Sequence, residues 1–382
     1  MSATAPTPSR ATTAVADAGP RAGIGGRRGR TLNGRVADFL LLGGGSLLAL
    51  PVLYLVLGDK AWAGAWSLGA TLALANVVNN PHFAHSYQIF YRGFRAKLTT
   101  YPAALRWRYW LCGVVAPLVL VGTMAGLVLA RQPRALGVFA NLMFFLVGWH
   151  YVKQGYGMAM VDAALKRAFF TDAEKSALLR NAYAVWLLSW ILLNRMLGGV
   201  ASQYWGVDYV FLAIPAPLAW MATAAATACG AEVAWRLLRR WRRGDAIAWN
   251  GLLAYATSSY VWLLLRDSML VLWVPLFHSL QYLAVVWRYE SNRIRAARPH
   301  DMLPELRLAG FYAVGLALGY AGFWLLPRYL NQHVHYDYSL FGSGLFFFVF
   351  WIFINVHHYF LDTVMWRKGN PDVQRHLFAH AR

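Results

Sequence analysis

Cysteine is almost absent from this chain: 2 of 382 residues, Cys112 and Cys229, both inside apolar runs. That excludes a disulfide framework and a Cys-rich metal site, so any metal has to be held by histidine and carboxylate. Charge is scarce as well, 14% against 58% hydrophobic residues. Stretches such as "LLLGGGSLLALPVLYLVLG" run without a single charge for the length, about 20 residues, that crosses a bilayer. Acid is the rarer sign, with 16 Asp and Glu to 36 Lys and Arg and a net charge of +20. A repeat of short fixed period is lacking too. So is any soluble redox domain, and electrons, if the protein uses them, have to arrive from a separate partner.

What is present is a polytopic, all-α transmembrane helical bundle. The hydropathy pattern predicts ten spans: 36–58, 61–91, 109–130, 135–160, 181–199, 209–235, 247–265, 268–289, 308–326 and 339–366. The second, fourth and tenth exceed what a bilayer requires and should tilt or project beyond the hydrocarbon. With the N-terminus inside, 29 of the 36 Lys and Arg fall on the inner side and six on the outer, with Lys153 left within a helix. This positive-inside bias places both termini in the cytoplasm, as expected of a multi-pass protein of the inner or cytoplasmic membrane. It also argues against nucleic acid as a partner, because the basic charge is spread over separate loops and not gathered in one patch. Residues 1–35 read as a basic, disordered cytoplasmic tail, too polar for a signal-peptide core. Residues 36–366 form the transmembrane domain, and 367–382 a cytoplasmic C-terminal tail.

Six of the 11 histidines lie on even-numbered spans: His82 and His85 on the second, His150 on the fourth, His278 on the eighth, His357 and His358 on the tenth. Even spans run from outside to inside, so five of these six fall in the cytoplasmic half, and His278, near the middle of the eighth span, is a few turns away. His82 and His85 are three residues apart and His358 and Asp362 four, spacings that put both members on one helix face. Gln154 follows His150, and Gln281 follows His278, at similar spacing. An amide there can hydrogen-bond an imidazole, fix its tautomer and leave the other nitrogen to a metal. A lone histidine in a membrane helix is more often a helix–helix hydrogen-bonding residue than a ligand. Six in one leaflet, two of them in pairs with ligand spacing, favour a shared metal site formed by His82, His85, His150, His278, His357 and His358. Asp362 is the best-placed carboxylate, with Glu290 and Asp38 as alternatives, while Asp162 and Glu232 look interfacial. His300, His333, His335, His376 and His380 read as solvated. Gly155 and Gly157 could permit close backbone approach.

Neutral imidazoles with a carboxylate, no thiolate and a buried apolar setting suit non-haem iron, as one or two ions, better than structural zinc. Iron with open positions can bind O2 as co-substrate, and a site reached from within the bilayer meets lipophilic substrates. The chemistry expected is hydroxylation, desaturation or oxidative cleavage of a carotenoid, isoprenoid or fatty acyl chain, with Asp362, Gln154 and Gln281 assisting and an electron donor at the cytoplasmic face. Three other readings compete: a b-type haem electron carrier with paired axial histidines, an acyltransferase with one histidine base, and a transporter with histidine proton relays.

The pattern resembles the histidine-rich integral-membrane iron oxygenases, although their H-x3-H and H-x2-H-H boxes are absent. It is more similar to the Brp/Blh type of bacterial β-carotene dioxygenase. "PHFAH" supplies Pro81, His82 and His85, and "FHSLQY" supplies Phe277, His278 and Ser279. The resemblance implies His82 and His278 as iron ligands and a carotenoid as substrate. It covers two short phrases, and the chain departs from the family pattern at Phe83 and Tyr282, where a glycine and a later histidine are expected.

Overall fold

A computed structural model describes residues 31–58, 60, 62–197, 203–208, 210–265, 269–297 and 303–378. The described chain is almost entirely helical. Seven helices are long and apolar enough to cross a membrane: α1 (Arg35–Leu57), α5 (Ala103–Leu129), α6 (Pro133–Lys166), α7 (Asp172–Leu197), α10 (Leu270–Ala297), α11 (Pro304–His333) and α13 (Leu345–Met365). The other three expected spans are helical but fall short of that standard. Span 61–91 is broken into α2 (Ala63–Ala75) and α3 (Asn79–Tyr91). The break has a local cause: in "NNPH", Pro81 lies in the first turn of α3, where its missing N–H costs nothing and its fixed φ suits a helix start. Span 209–235 becomes α8 (Ala216–Arg242), whose last turn is basic. Span 247–265 becomes α9, in which Trp249–Ala256 passes through a π-helical turn, Thr257–Val261, into Trp262–Leu265.

The remaining elements are small. Short α4 (Phe94–Thr100) links α3 to α5, α12 (Tyr338–Phe341) precedes α13, and α14 (Pro371–His376) follows it. A two-residue hairpin pairs Gln203–Tyr204 with Val207–Asp208. At 34 residues α6 is about 50 Å long against a hydrocarbon core of about 30 Å, so the fourth expected span is one unbroken helix longer than a bilayer requires. The tenth is divided: Gly342, with φ of 69°, and Gly344 separate α12 from α13, leaving α13 at 21 residues.

Both expected tails are partly fastened to the bundle. At the N-terminal end, Asp38 accepts the backbone N–H groups of Leu32 and Asn33 at 2.7 and 2.8 Å, and Arg288 donates to the Thr31 and Leu32 carbonyls. Residues 31–34 therefore belong to the fold, while 1–30 lie outside the described residues. At the other end, Asn370 caps α14 by accepting from the Asp372 N–H and donates to Tyr109 and the Met365 carbonyl. Asn292 and Arg288 hold the carbonyls of His376 and Leu377. His376, expected to be solvated, is buried in consequence. His333 and His335 are exposed as expected, and His300 and His380 lie outside the described residues.

Helix α3 is the hub, packed against α10, α11 and α13, while α6 packs against α7, α9 and α13. Two close approaches set the rotations of these helices. A Cβ on Gly155 of α6 would stand 2.7 Å from the Ser258 Cβ, whereas Gly157 faces open space. A Cβ on Gly315 of α11 would stand 2.2 Å from Cε1 of His85.

Candidate metal centre

Four of the six span histidines meet. His82 comes from α3, His150 from α6, His278 from α10 and His358 from α13, and all four are buried. Their rings are neighbours: centroids stand 4.5 Å apart for His82 and His358, 5.5 Å for His82 and His278, and 4.9 Å for His150 with either His278 or His358. Asp362, one turn after His358, brings Oδ2 to 3.3 Å from Nε2 of His358 and 3.8 Å from Nε2 of His150. Two overlapping triads of donor atoms result, His82–His150–His278 and His150–His358–Asp362, each with its atoms within 4.8 Å of one another. His150 belongs to both.

These rings carry nitrogens that make no hydrogen bond. Nε2 of His82, Nε2 of His150 and both nitrogens of His278 and His358 are buried and make no hydrogen bond. An unsatisfied buried polar group costs about 1–3 kcal/mol, so several at one point form a set of atoms arranged for something else to bind. The tautomer of His82 follows from its neighbours. Its Nδ1 lies 3.2 Å from the Asn79 carbonyl, which can only accept. Ser279 gives its proton to Asn79 Oδ1 at 2.7 Å and so faces Nδ1, 3.3 Å away, as an acceptor. Nδ1 therefore carries the hydrogen and Nε2 keeps its lone pair, the arrangement a metal ligand needs.

Asp362 is oriented by residues that the sequence reading did not single out for that role. Tyr282 donates its hydroxyl hydrogen to Oδ1 at 3.0 Å, and it in turn receives the Trp366 indole N–H at 3.2 Å and contacts the Ser86 hydroxyl. The Tyr282 ring also lies 4.6 Å from that of His82. Tyr359 stacks on His150 at 4.6 Å and Tyr151 on His278 at 4.0 Å. The signal was available: Ser86 is four residues after His82 and Tyr282 four after His278, spacings that share a helix face.

Several expected site residues lie elsewhere. His85 points toward α11, its Nδ1 paired with Gln88 Oε1 at 2.8 Å and its ring stacked on Phe311 at 4.5 Å. His357 is engaged at both nitrogens, with the Tyr87 hydroxyl at 2.9 Å and the Cys112 carbonyl at 2.8 Å. Neither Gln154 nor Gln281 reaches an imidazole nitrogen in the hydrogen bonds they make. Gln154 donates to the backbone carbonyl of His278 at 2.9 Å. Gln281 donates to the Leu42 carbonyl and to Thr257 and accepts from Ser258. Leu42 and Thr257 sit in π-helical turns of α1 and α9, where the widened ladder displaces backbone groups from their usual partners, so Gln281 acts as a clasp between helices.

The alternative carboxylates are committed too. Glu290 is paired with Arg92 and Arg293, and Asp38 with the backbone of residues 32 and 33. Asp162, expected at an interface, is fully buried and accepts from Lys166 and the Gly251 N–H. Glu232 pairs with Arg180 and Arg236 near the surface.

An apolar wall adjoins the histidines. The Phe83 ring lies 4.8 Å from His358 and 5.3 Å from Phe323, in a cluster with Tyr359 that also includes Trp351. The centre therefore offers nitrogen and carboxylate donors on one side and hydrocarbon on the other. Comparison of the chain with family models, curated proteins and solved structures returns no match.

Proposed function

We propose that this protein is an integral-membrane iron oxygenase acting on a lipophilic substrate, with a non-haem centre held by His82, His150, His278, His358 and Asp362. The observation that carries the reading is the convergence of four buried imidazoles from four helices with nitrogens that make no hydrogen bond. Thiolate is absent and the carboxylate single, a donor set that suits iron. On this reading the chain crosses the cytoplasmic membrane ten times, counting the three less apolar helices, and keeps both termini in the cytoplasm, as its basic loops favour.

Bound iron would supply activation of O2. The chain's own residues do the rest. His150 offers a nitrogen to either triad, so the donors suit one ion or two. Tyr282, Trp366 and Ser86 fix Asp362 so that Oδ2 stays turned toward the histidines. Phe83, Phe323 and Tyr359 exclude water and present hydrocarbon to a hydrocarbon. A carotenoid, isoprenoid or acyl chain is the class of substrate such a wall accepts, and reducing equivalents, where the reaction needs them, come from a separate donor at the cytoplasmic face. The packing weighs against haem. Rings surround the centre at centroid separations of 4.0 to 5.6 Å, which leaves no slab between opposed histidines for a macrocycle.

Metal analysis with an optical spectrum of the purified protein tests the proposal. One or two irons without a Soret band are expected. A strong Soret band would replace the oxygenase by a haem carrier, and a metal-free protein that takes up no iron would return the histidines to an acyltransferase or transporter role.

A further inference from the structure

Lys153 is the one basic residue that falls on neither side of the expected topology, and an ionisable group within a membrane helix is costly unless a partner receives it. It stands next to the centre: His150 is three residues earlier on α6, about 4.5 Å along the axis. The half-buried ammonium lies one turn back, 5.8 Å from the centroid of the Trp149 ring, beside the turn that carries His150. No carboxylate pairs with it among the described residues, and the charged group that acts on it is a second cation, Arg367. Arg367 follows Asp362 by five residues, just past the end of α13, which packs against α6. Its exposed guanidinium also makes no hydrogen bond or ion pair among the described residues. Asp362 itself is turned to His150 and His358. Cations elsewhere near the inner helix ends are paired, as Lys166 is with Asp162 and Arg240 with Glu174. Two like charges brought together without an acid repel each other and mark a place for an anion.

We propose that Lys153 and Arg367 bind the carboxylate of a long-chain fatty acid, which makes an anionic amphiphile the substrate of the neighbouring centre. A guanidinium fork pairs with both oxygens of a carboxylate, and an ammonium adds a further charged donor. A carotenoid or isoprenoid hydrocarbon brings nothing to neutralise the two charges. The phosphate of a phospholipid stays at the headgroup level, whereas Lys153 is 13 residues short of the inner end of α6, about 20 Å along the axis. A single-chain acid can be drawn that far, with its hydrocarbon against Trp149 and the apolar wall of Phe83 and Phe323. As a statement about substrate the inference rests on the proposed oxygenase, while the carboxylate site itself is built from residues outside the metal ligands.

The test is thermal unfolding of the full chain in a neutral detergent, titrated with stearate, with stearyl alcohol, or with a phosphatidic acid of the same acyl chain. Stearate alone is expected to raise the unfolding temperature. Lys153→Gln and Arg367→Gln should each weaken its apparent affinity about tenfold, the loss of one charged hydrogen bond. Arg95→Gln, an equal change of charge on exposed α4, should leave it unchanged. Equal stabilisation by stearyl alcohol would show that the carboxylate is not recognised, and equal stabilisation by phosphatidic acid would assign the two cations to a membrane lipid. A stearate response indifferent to both substitutions, or lost to the same extent in Arg95→Gln, would place the acid elsewhere. Each of these results overturns the proposal. Iron content of the same samples keeps the two readings apart. A parent without iron that binds stearate through Lys153 would overturn the oxygenase and uphold the carboxylate site, and an iron-loaded parent indifferent to Lys153→Gln would do the reverse.

Discussion

Replacing Tyr282 by Phe removes one oxygen from the centre and leaves the ring beside His82 in place. That oxygen donates to Asp362 and meets the Trp366 indole and the Ser86 hydroxyl. Its removal orphans buried groups at about 1–3 kcal/mol each, and because Ser86 can turn toward its own helix carbonyl at His82, a net loss of about 2–4 kcal/mol is expected in unfolding of the metal-free protein. The informative quantity is iron affinity. Asp362 in the variant keeps its position but loses the bond that orients it, and loss of such an outer partner typically costs about 10–100-fold in metal affinity. Anaerobic competition for Fe(II) against a chromophoric chelator measures this directly. Tyr255→Phe is the control: its hydroxyl donates to the Leu178 carbonyl and accepts from Asn181, between other helices, so it should lose comparable stability and no affinity. Iron affinity in Tyr282→Phe within twofold of the parent, at reduced stability, would refute the assignment of Asp362 as a ligand.

The adjacent histidines of α13 should separate cleanly. His358→Ala is expected to lose iron on gel filtration, while His357→Ala retains it and gives up about 1–3 kcal/mol of stability by orphaning Tyr87 and the Cys112 carbonyl; equal iron loss in both would place His357 in the centre. Lys97 should give the fold a pH dependence of its own. It lies outside the spans, donates to the Ile89 and Phe90 carbonyls at the end of α3, and has its ammonium pushed down from 10.5 to about 8, by burial first, with nearby Asp372 opposing and Arg92 assisting. Between about pH 8 and 10.5 the unfolded chain binds the proton that the folded chain has released, so stability rises with pH across that window, by up to about 3 kcal/mol. Unfolding of the parent and of Lys97→Met from pH 7 to 10.5 should show this rise in the parent alone, and parallel curves would mean that Lys97 keeps its ordinary affinity for the proton.

Much of the architecture is legible in composition and spacing. The absence of charge over long runs marks seven helices that the structure also finds apolar enough to span, and the helices bearing His82, His150, His278 and His358 are the ones that converge. The expectation of span 61–91 as one helix failed because hydropathy is blind to the difference between a continuous ladder and one interrupted at Asn76–Val78 by the start of a new helix at "NNPH". The hydrogen bonds of Gln281 go elsewhere for a related reason. Its spacing from His278 suggested a partner for the imidazole, but two π-helical turns on other helices offered it groups to clasp, and no periodicity within α10 announces a distortion in α1 or α9.

Which histidine on each helix faces the centre is a question of rotation, and rotation is set by neighbours. Successive residues of a helix point about 100° apart, so "HHYFLD" could never aim both histidines at one point, and only the docking of α5 decides that His357 turns to the Cys112 carbonyl. On α3, His82 and His85 are about 60° apart around the axis, close enough to share a face. The backbone of α11 at Gly315 lies against His85 and so commits that edge of the face to α11, leaving His82 to α10 and α13. On α6, Gly155 follows His150 by five residues, about 140° around the helix. Its contact with Ser258 fixes α9 on that side and turns His150 away toward His278 and His358. Small residues carry no chemistry of their own here, yet by admitting a neighbouring backbone at one angle they determine which imidazoles are free to face one another.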